Sequence, residues 1–336
     1  MLSYIVRRLW MQILVLAGVL VGTFLISHLI PGDPASLYAG ARATPEVVEK
    51  VRHEWGLDRP IHVQFWVYLR EVLQGNLGTS LFTHRPVARD IMVHFPATFE
   101  LVTASMLIIL LVGIPVGIVS AVHKDKPLDH ISRSLSVFGV SMPIFWLGLL
   151  LILLFYIRLG WLPGAGRIGL TMNPPAHYTG LYTVDSLLSG DWDALLEALH
   201  HLILPAFTLA FVSLATVVRT VRSSMLDVLG ADYIRTARSK GIRERAVLYR
   251  HALKNALIPV VTIVGLSYGQ LLQGAVCTEL IFAWPGMANY AVTSMVSLDF
   301  PAIMGVTLVS AIIYTTVNLL VDISYTFIDP RIRYHS

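Results

Sequence analysis

Long apolar runs set the plan of this chain. Six stretches lack the period-two alternation of strands and are long enough to be read as helices crossing a bilayer: residues 9–30, 99–122, 135–157, 202–218, 257–278 and 303–321. A hydrocarbon core of about 30 Å needs about 20 apolar residues of helix, and the fourth stretch, LILPAFTLAFVSLATVV, is short but uninterrupted by charge. The expectation is an all-α membrane protein with six transmembrane helices. The first run is too long for a cleaved signal peptide, and no small-residue cleavage pattern follows it.

Between the first two spans lies a long loop, 31–98, with helical punctuation of its own. Thr44-Pro45 reads as a cap followed by proline at the first helical position, and Gly56 as a stop. Residues 61–74, IHVQFWVYLREVLQ, show a mixed apolar face that ends at Gly75, with aromatic residues suited to a membrane interface. This loop is expected to be folded, within one transmembrane domain covering 1–336.

Lys and Arg in the short flanks predict the orientation. The N-terminus carries Arg7 and Arg8, the loop after the second span Lys124, Lys126 and Arg133, and the tail Arg331 and Arg333. The loop after the fourth span, 219–256, carries nine basic residues. With six spans these segments share one side. The opposite side offers Arg158 and Arg167, and no Lys or Arg occurs between 282 and 302. Both termini are therefore expected in the cytoplasm, with 31–98 and 158–201 outside.

Composition agrees. Charged residues make 14% of the chain and hydrophobic ones 55%, with mean hydropathy +0.67; soluble domains carry about 25% charge. The net charge of +4 sits beside the apolar runs, so the membrane accounts for it and nucleic acid does not. The single cysteine, Cys277, excludes an intrachain disulfide and multi-cysteine metal sites, and its apolar surroundings predict a small buried hydrophobe.

Familiar chemistry is missing. Gly-Lys never occurs, so there is no P-loop; His53-Glu54 lacks its second histidine; Gly139-Val140-Ser141-Met142-Pro143 lacks the closing glycine of a nucleophile elbow. His200 and His201 are adjacent, which turns them apart on a helix. Ion-coupled transporters place acids inside the membrane, and the six runs contain none except Glu100 at one entrance. Glu279 and Asp322 read as polar groups at helix ends. An ion-coupled secondary transporter and a membrane enzyme are thereby the weaker classes, and no cofactor is expected. Glycine and proline punctuate the spans instead: Pro115, Pro143, Gly265 and Gly269 are candidate path or hinge positions, against ordinary helix packing as the simpler account.

The loop 219–256 has the most organised pattern. Gly230 stops a helix that continues the fourth span, Ala231–Lys240 forms a short helix, Gly241 ends it in a left-handed conformation, and Arg243–Leu257 restarts toward Pro259. A helix of about ten residues is marginal alone and needs a partner surface. Tyr233, Ile234 and Ala237 are expected to share one side as a docking plug.

Here the residues resemble a family. Asp232-Tyr-Ile-Arg-Thr-Ala-Arg-Ser-Lys-Gly241, followed by His251-Ala-Leu-Lys-Asn-Ala-Leu-Ile-Pro259, resembles the coupling loop of inner-membrane permeases of binding-protein-dependent ABC importers, in their dipeptide, oligopeptide and nickel group. Ile30-Pro-Gly-Asp-Pro34, Gly75-Asn-Leu-Gly-Thr-Ser80, Pro96-Ala-Thr-Phe-Glu-Leu101, Ser141-Met-Pro-Ile-Phe-Trp146, His201-Leu-Ile-Leu-Pro205, Thr278-Glu-Leu-Ile-Phe-Ala-Trp-Pro-Gly286 and Asp329-Pro-Arg-Ile-Arg333 fit the same group in order. Length and the long first outer loop resemble the B-type subunit. One departure is that Arg235-Thr236-Ala237 stands where the broad pattern has Glu-Ala-Ala, so a glutamate contact to the ATPase does not carry over. The resemblance implies the type I permease fold and an inner-membrane location. It implies a second, homologous permease, two cytoplasmic ATPases and an extracytoplasmic binding protein as partners. ATPase coupling is assigned to Asp232, Tyr233, Ile234, Thr236, Ala237, Arg238, Lys240 and Gly241. Di- or oligopeptides are the implied cargo, with nickel complexes, glutathione and oligosaccharides as alternatives in the same family.

Overall fold

A computed structural model describes residues 2–29, 34–39, 43–54 and 56–328. The Ile30–Asp33 part of the first family motif, the Asp329–Arg333 motif and the Asp322 side chain lie outside the described residues. The helices run in the order α1 (Leu2–Leu29), α2 (Pro34–Ala39), α3 (Pro45–Glu54), α4 (Ile61–Leu73), α5 (Val87–Ile108), α6 (Ile114–Val122), α7 (Pro127–Ser141), α8 (Ile144–Leu151), α9 (Tyr182–Ser189), α10 (Trp192–Leu229), α11 (Asp232–Ser239), the single turn α12 (Glu244–Ala246), α13 (Leu253–Ile281), α14 (Met287–Val296) and α15 (Phe300–Ile328). Of three π-helical segments, Ile109–Gly113 joins α5 to α6, Val247–Ala252 joins α12 to α13, and Ile152–Arg158 extends α8 to the start of a loop. Among the described residues, five helices are long and apolar enough to cross a membrane, and six if α7 and α8 count as one bent span.

Local chemistry explains the breaks. Pro115 has no amide proton to continue the ladder of the second span, and the widened π turn lies immediately before it. At the third span the expectation of one helix over 135–157 is corrected. Residues before proline avoid the helical region; Met142 is extended (φ −84°, ψ 128°), and α7 and α8 meet at 110° across Met142-Pro143. The helix of the fourth span, α10, has 38 residues: it continues past 218 to Leu229, where the Gly230 stop is expected, and it begins ten residues before the apolar run. Its polar ends, with Asp193, Glu197, His200 and His201 before the apolar run and Arg219, Arg222 and Asp227 after it, are helical without being hydrophobic. Asp191 caps its start, accepting the Ala194 amide at 2.9 Å.

The chain divides into two compact units, residues 1–96 with 286–316, and residues 97–285 with 317–336. In the first unit the loop helices form as the punctuation predicts. The Thr44 carbonyl accepts the Val47 and Val48 amides, and Gly56 and Gly75 adopt φ of +65° and +81° after α3 and α4. Val87 and Ile91 pack with Met287, Tyr290, Ala302 and Val306. Asp299 accepts from Ser80 Oγ at 2.5 Å and from the Phe82 amide at 3.2 Å, while Asp90 accepts from Thr83 Oγ1 at 2.5 Å and lies 3.0 Å from an Arg85 guanidinium nitrogen.

In the second unit one continuous core joins Leu101, Val102 and Ile109 of the second span, Val217, Val221 and Met225 of α10, Ala252, Ala256, Val260 and Leu271 near and along α13, and Trp284. The Trp284 indole donates to the Ala97 carbonyl at 2.8 Å. Burial of an ionised group requires partners, and the buried acids here have them. Glu279 accepts from Thr98 Oγ1 at 2.6 Å. Glu100 accepts from Arg167 Nη2 at 2.5 Å and from the Thr183 amide and hydroxyl, and Arg167 lies 3.7 Å over the Tyr182 ring. His200 and His201 do diverge, one toward the Trp161 carbonyl and the other toward Ala165 and Gly166. Among the described residues no three His, Cys, Asp or Glu side chains form a metal-binding group. The expectation for Cys277 is corrected: it is exposed on α13. In a membrane chain an apolar neighbourhood also marks faces that turn outward, so hydrophobic flanks do not by themselves predict burial.

Candidate coupling site

The short helix expected after Gly230 is α11. Leu229 is the last residue of α10, Gly230 and Ala231 make the turn, and Ala231 is extended (φ −72°, ψ 148°) as an N-cap. The Ala231 carbonyl takes the Ile234 and Arg235 amides and so starts the new helix. At the far end the Gly241 amide donates to the Arg238 carbonyl and the Ile242 amide to that of Ala237. Gly241 adopts φ +73°, and nothing lies within 4 Å of the place a Cβ would take. The strain of a side chain there is conformational, since L-residues avoid this region.

The two faces of α11 are sharply unlike. Ile234 is fully buried and Ala237 nearly so, both in the core shared with Val247 and Ala252. Asp232, Tyr233, Arg235, Thr236, Arg238, Ser239 and Lys240 are exposed. The expectation of one docking side made by Tyr233, Ile234 and Ala237 is therefore corrected. Ile234 and Ala237, three residues apart, anchor α11 to its own chain, while Tyr233 stands on the open face. A helix of this length is marginal alone, and the anchor supplies the partner surface from within.

Two polar contacts fix the anchor. Asn255 Nδ2 donates to Tyr233 Oη at 3.1 Å and to the His251 carbonyl at 3.0 Å, joining α11 to the start of α13. Arg238 grips Glu244 with two prongs, Nη2–Oε1 at 2.7 Å and Nε–Oε2 at 3.2 Å, across the Gly241 turn. The Arg238 hydrogen bonds hold the Glu244 carboxyl below its ordinary pKa, and the same contact raises that of Arg238. Asp232 and Arg235 approach to 3.4 Å, but both are wide open to water, where such pairs contribute little. The expected restart over Arg243–Leu257 is a composite: one turn at Glu244–Ala246, the π segment Val247–Ala252, then α13, which runs straight through Pro259.

The candidate path positions are placed as follows. Pro115 and Pro143 sit beside the π segment of the second span and the break of the third. Gly265 faces Val321 so closely that a Cβ would overlap its side chain, and Gly269 is buried on the same helix. A group that sequence reasoning missed lies where α10 leaves the core: Arg222 binds Asp129 at the start of α7, and Asp129 is wholly enclosed. The signal was present only as an acid two residues after Pro127, in a loop otherwise read for its lysines.

The model of the binding-protein-dependent transport system inner membrane component matches residues 113–334, and that of the N-terminal part of such membrane components matches residues 1–102. A probable D,D-dipeptide transport system permease protein of Escherichia coli (strain K12) is 52% identical, over 98% of this chain and 97% of its own. A di/tripeptide transport system permease protein of Pseudomonas aeruginosa (strain UCBPP-PA14) is 43% identical over 99% of both chains. A glutathione transport system permease protein of Pectobacterium atrosepticum is 42% identical, over 99% of this chain and all of its own. With near-complete coverage by relatives and a family model spanning most of its length, this chain belongs to the family of binding-protein-dependent transport system inner membrane components.

Proposed function

We propose that this chain is the peptide-conducting permease subunit of an ATP-driven importer, with dipeptides as its principal cargo. The observation that carries the reading is α11: a short helix pinned from within by Ile234 and Ala237, offering Asp232, Tyr233, Arg235, Thr236, Ser239 and Lys240 outward. Such a knob transmits force only if something seats on it, and a cytoplasmic ATPase is the partner this reading assigns to it. Closure of two ATPases displaces α11, α10 and α13 carry the displacement into the spans, and the path alternates its opening without any titrating acid. A second, homologous permease forms the other half of the path, and a binding protein delivers cargo from outside. Both termini and the 219–256 loop face the cytoplasm in this scheme, which the Lys and Arg distribution supports.

The test is reconstitution. The chain is assembled in proteoliposomes with the second permease, the ATPases and the binding protein of its system, and uptake of labelled L,L- and D,D-dipeptides and of glutathione is followed with and without ATP. ATP-dependent dipeptide uptake is expected, together with no hydrolysis by the purified chain alone. Uptake that follows a proton or sodium gradient without ATP overturns the reading, and glutathione uptake in preference to both dipeptides overturns the cargo.

A further inference from the structure

The carboxylate of Asp129 gathers donors from three parts of the chain. Arg222 on α10 supplies two, Nε–Oδ1 at 2.5 Å and Nη2–Oδ2 at 2.7 Å. Ser120 on α6 donates its hydroxyl at 2.7 Å, and the amide of Asp125, in the turn between α6 and α7, donates at 3.0 Å. Asp125 adopts φ +61°, so the turn is bent into an unfavourable region in the course of presenting that amide. A fully enclosed acid with this set of partners is a built junction.

The surrounding packing explains what such a junction is for. α6 and α7 meet α10 through small residues. A Cβ on Gly117 would come within 2.6 Å of Val221 Cβ and 2.9 Å of the Val218 carbonyl, and one on Gly139 within 2.9 Å of Ala215 Cβ. Ser132 and Ser136 are buried on the α7 face that carries Gly139. Backbones this close gain dispersion energy. Smooth small-residue contacts, however, set no strong preference for position along the helix axis. A two-pronged guanidinium–carboxylate contact does, because both prongs require one geometry.

We propose that Arg222 and Asp129 are positioning residues for energy coupling. They fasten the corner between the second and third spans to α10 about two turns before that helix hands over to α11. Displacement of α11 then reaches α6, α7 and α10 as one body. With the clamp removed, α10 moves past its neighbours, and ATP is hydrolysed without a matching change in the path. This inference rests on the importer reading and adds to it the residues that convert a local push into a concerted one.

The discriminating quantity is the number of ATP molecules hydrolysed per peptide imported, measured in proteoliposomes holding the whole complex. A variant that merely folds less well lowers hydrolysis and import together and leaves the ratio unchanged. Four variants are compared: Arg222→Met, Asp129→Leu, the two combined, and Arg222→Lys. The combined variant removes the clamp without stranding a charge, which is the arrangement buried pairs tolerate best. The ratio is expected to rise at least about fivefold in the combined variant, the lower end of typical coupling between sites. A smaller rise is expected in Arg222→Lys, which keeps the charge and loses the fork. A wild-type complex that imports no peptide with ATP refutes the importer reading itself. A wild-type complex that imports normally, beside a combined variant with an unchanged ratio, overturns the clamp. If the combined variant fails to assemble, Arg222→Lys decides: a wild-type ratio there overturns the proposal, and a raised ratio supports it.

Discussion

Val221 occupies the place where Gly117 would carry a side chain: a Cβ built on Gly117 falls 2.6 Å from that of Val221. The contact lies between the second span and α10, in the same core as the anchor of α11. Glycine here serves proximity, with no special backbone angle required.

Gly117→Leu is expected to push α6 off α10. Overpacking a tight core contact costs about 1–3 kcal/mol, and relaxation cannot be cheap where the nearest atoms include the Val218 carbonyl as well as Val221. Thermal unfolding of the detergent-solubilised complex should shift downward. Gly274→Ala, where the nearest atom is Leu209 Cδ1 at an ordinary 3.7 Å, serves as the control and should leave the melting temperature within error. Equal melting of Gly117→Leu and wild type would show that the seam yields.

Gly241→Val is expected to leave membrane levels intact and to weaken ATPase retention on pull-down, with little transport remaining. There is no clash, so the cost is the left-handed backbone, about 1–2 kcal/mol for an L-residue. Relief of that strain re-aims the Arg238–Glu244 grip and turns the exposed face of α11. Gly164→Val is unsuited as a comparison, because a Cβ there meets the Tyr156 ring at 2.6 Å. Gly75→Ala, left-handed and uncrowded in the long first loop, is the matched control for backbone strain alone. Equal ATPase recovery from all three proteins would remove α11 from the coupling scheme.

Arg167→Met should destabilise more than either glycine change. It leaves Glu100 enclosed with the Thr183 donors alone, and breaking a buried ion pair from one side costs about 3–5 kcal/mol. Glu100→Gln with Arg167→Met removes both charges and is expected to recover most of the loss. Circular dichroism melts of the single and double variants measure the difference, and a double variant no better than the single one contradicts the pairing.

Topology is testable with single cysteines after Cys277→Ser. Leu170→Cys, at a fully exposed position between the third and fourth spans, should react with an impermeant maleimide from outside intact cells, and Ser223→Cys, exposed near the end of α10, only after lysis. The reverse pattern inverts the orientation drawn from Lys and Arg.

The sequence disclosed much of this, and where it misled the cause is physical. Apolar runs pick out the five long apolar helices and the bent α7–α8 pair because hydrocarbon contact demands them. They missed the start of α10, where Asp193 or Glu197 is as helical as any leucine but invisible to hydropathy. Gly230 and Gly241 framed α11 correctly because backbone geometry is written locally. Ile234 and Ala237 were assigned to an outer partner because a helix face tells that it will be covered and does not tell by what. The clamp at Asp129 was illegible for a related reason: its partner Arg222 lies 93 residues away, and only the fold brings them together.

α10 has one further property, and it concerns mechanical advantage. Pro205 is the one residue along it without an amide proton, so the backbone ladder is weakest there and the helix bends most easily at that point. From Pro205 to Leu229 the arm is about 36 Å long. A tilt of only about five degrees at that joint would carry the far end, with Gly230 and α11 attached, through about 3 Å. In the other direction, a shove of a few ångströms against α11 arrives at Pro205, near the outer end of the apolar run 202–218, as a small, forceful rotation. The chain in this sense is geared: it trades travel at the cytoplasmic end for torque where close-packed spans must be prised apart.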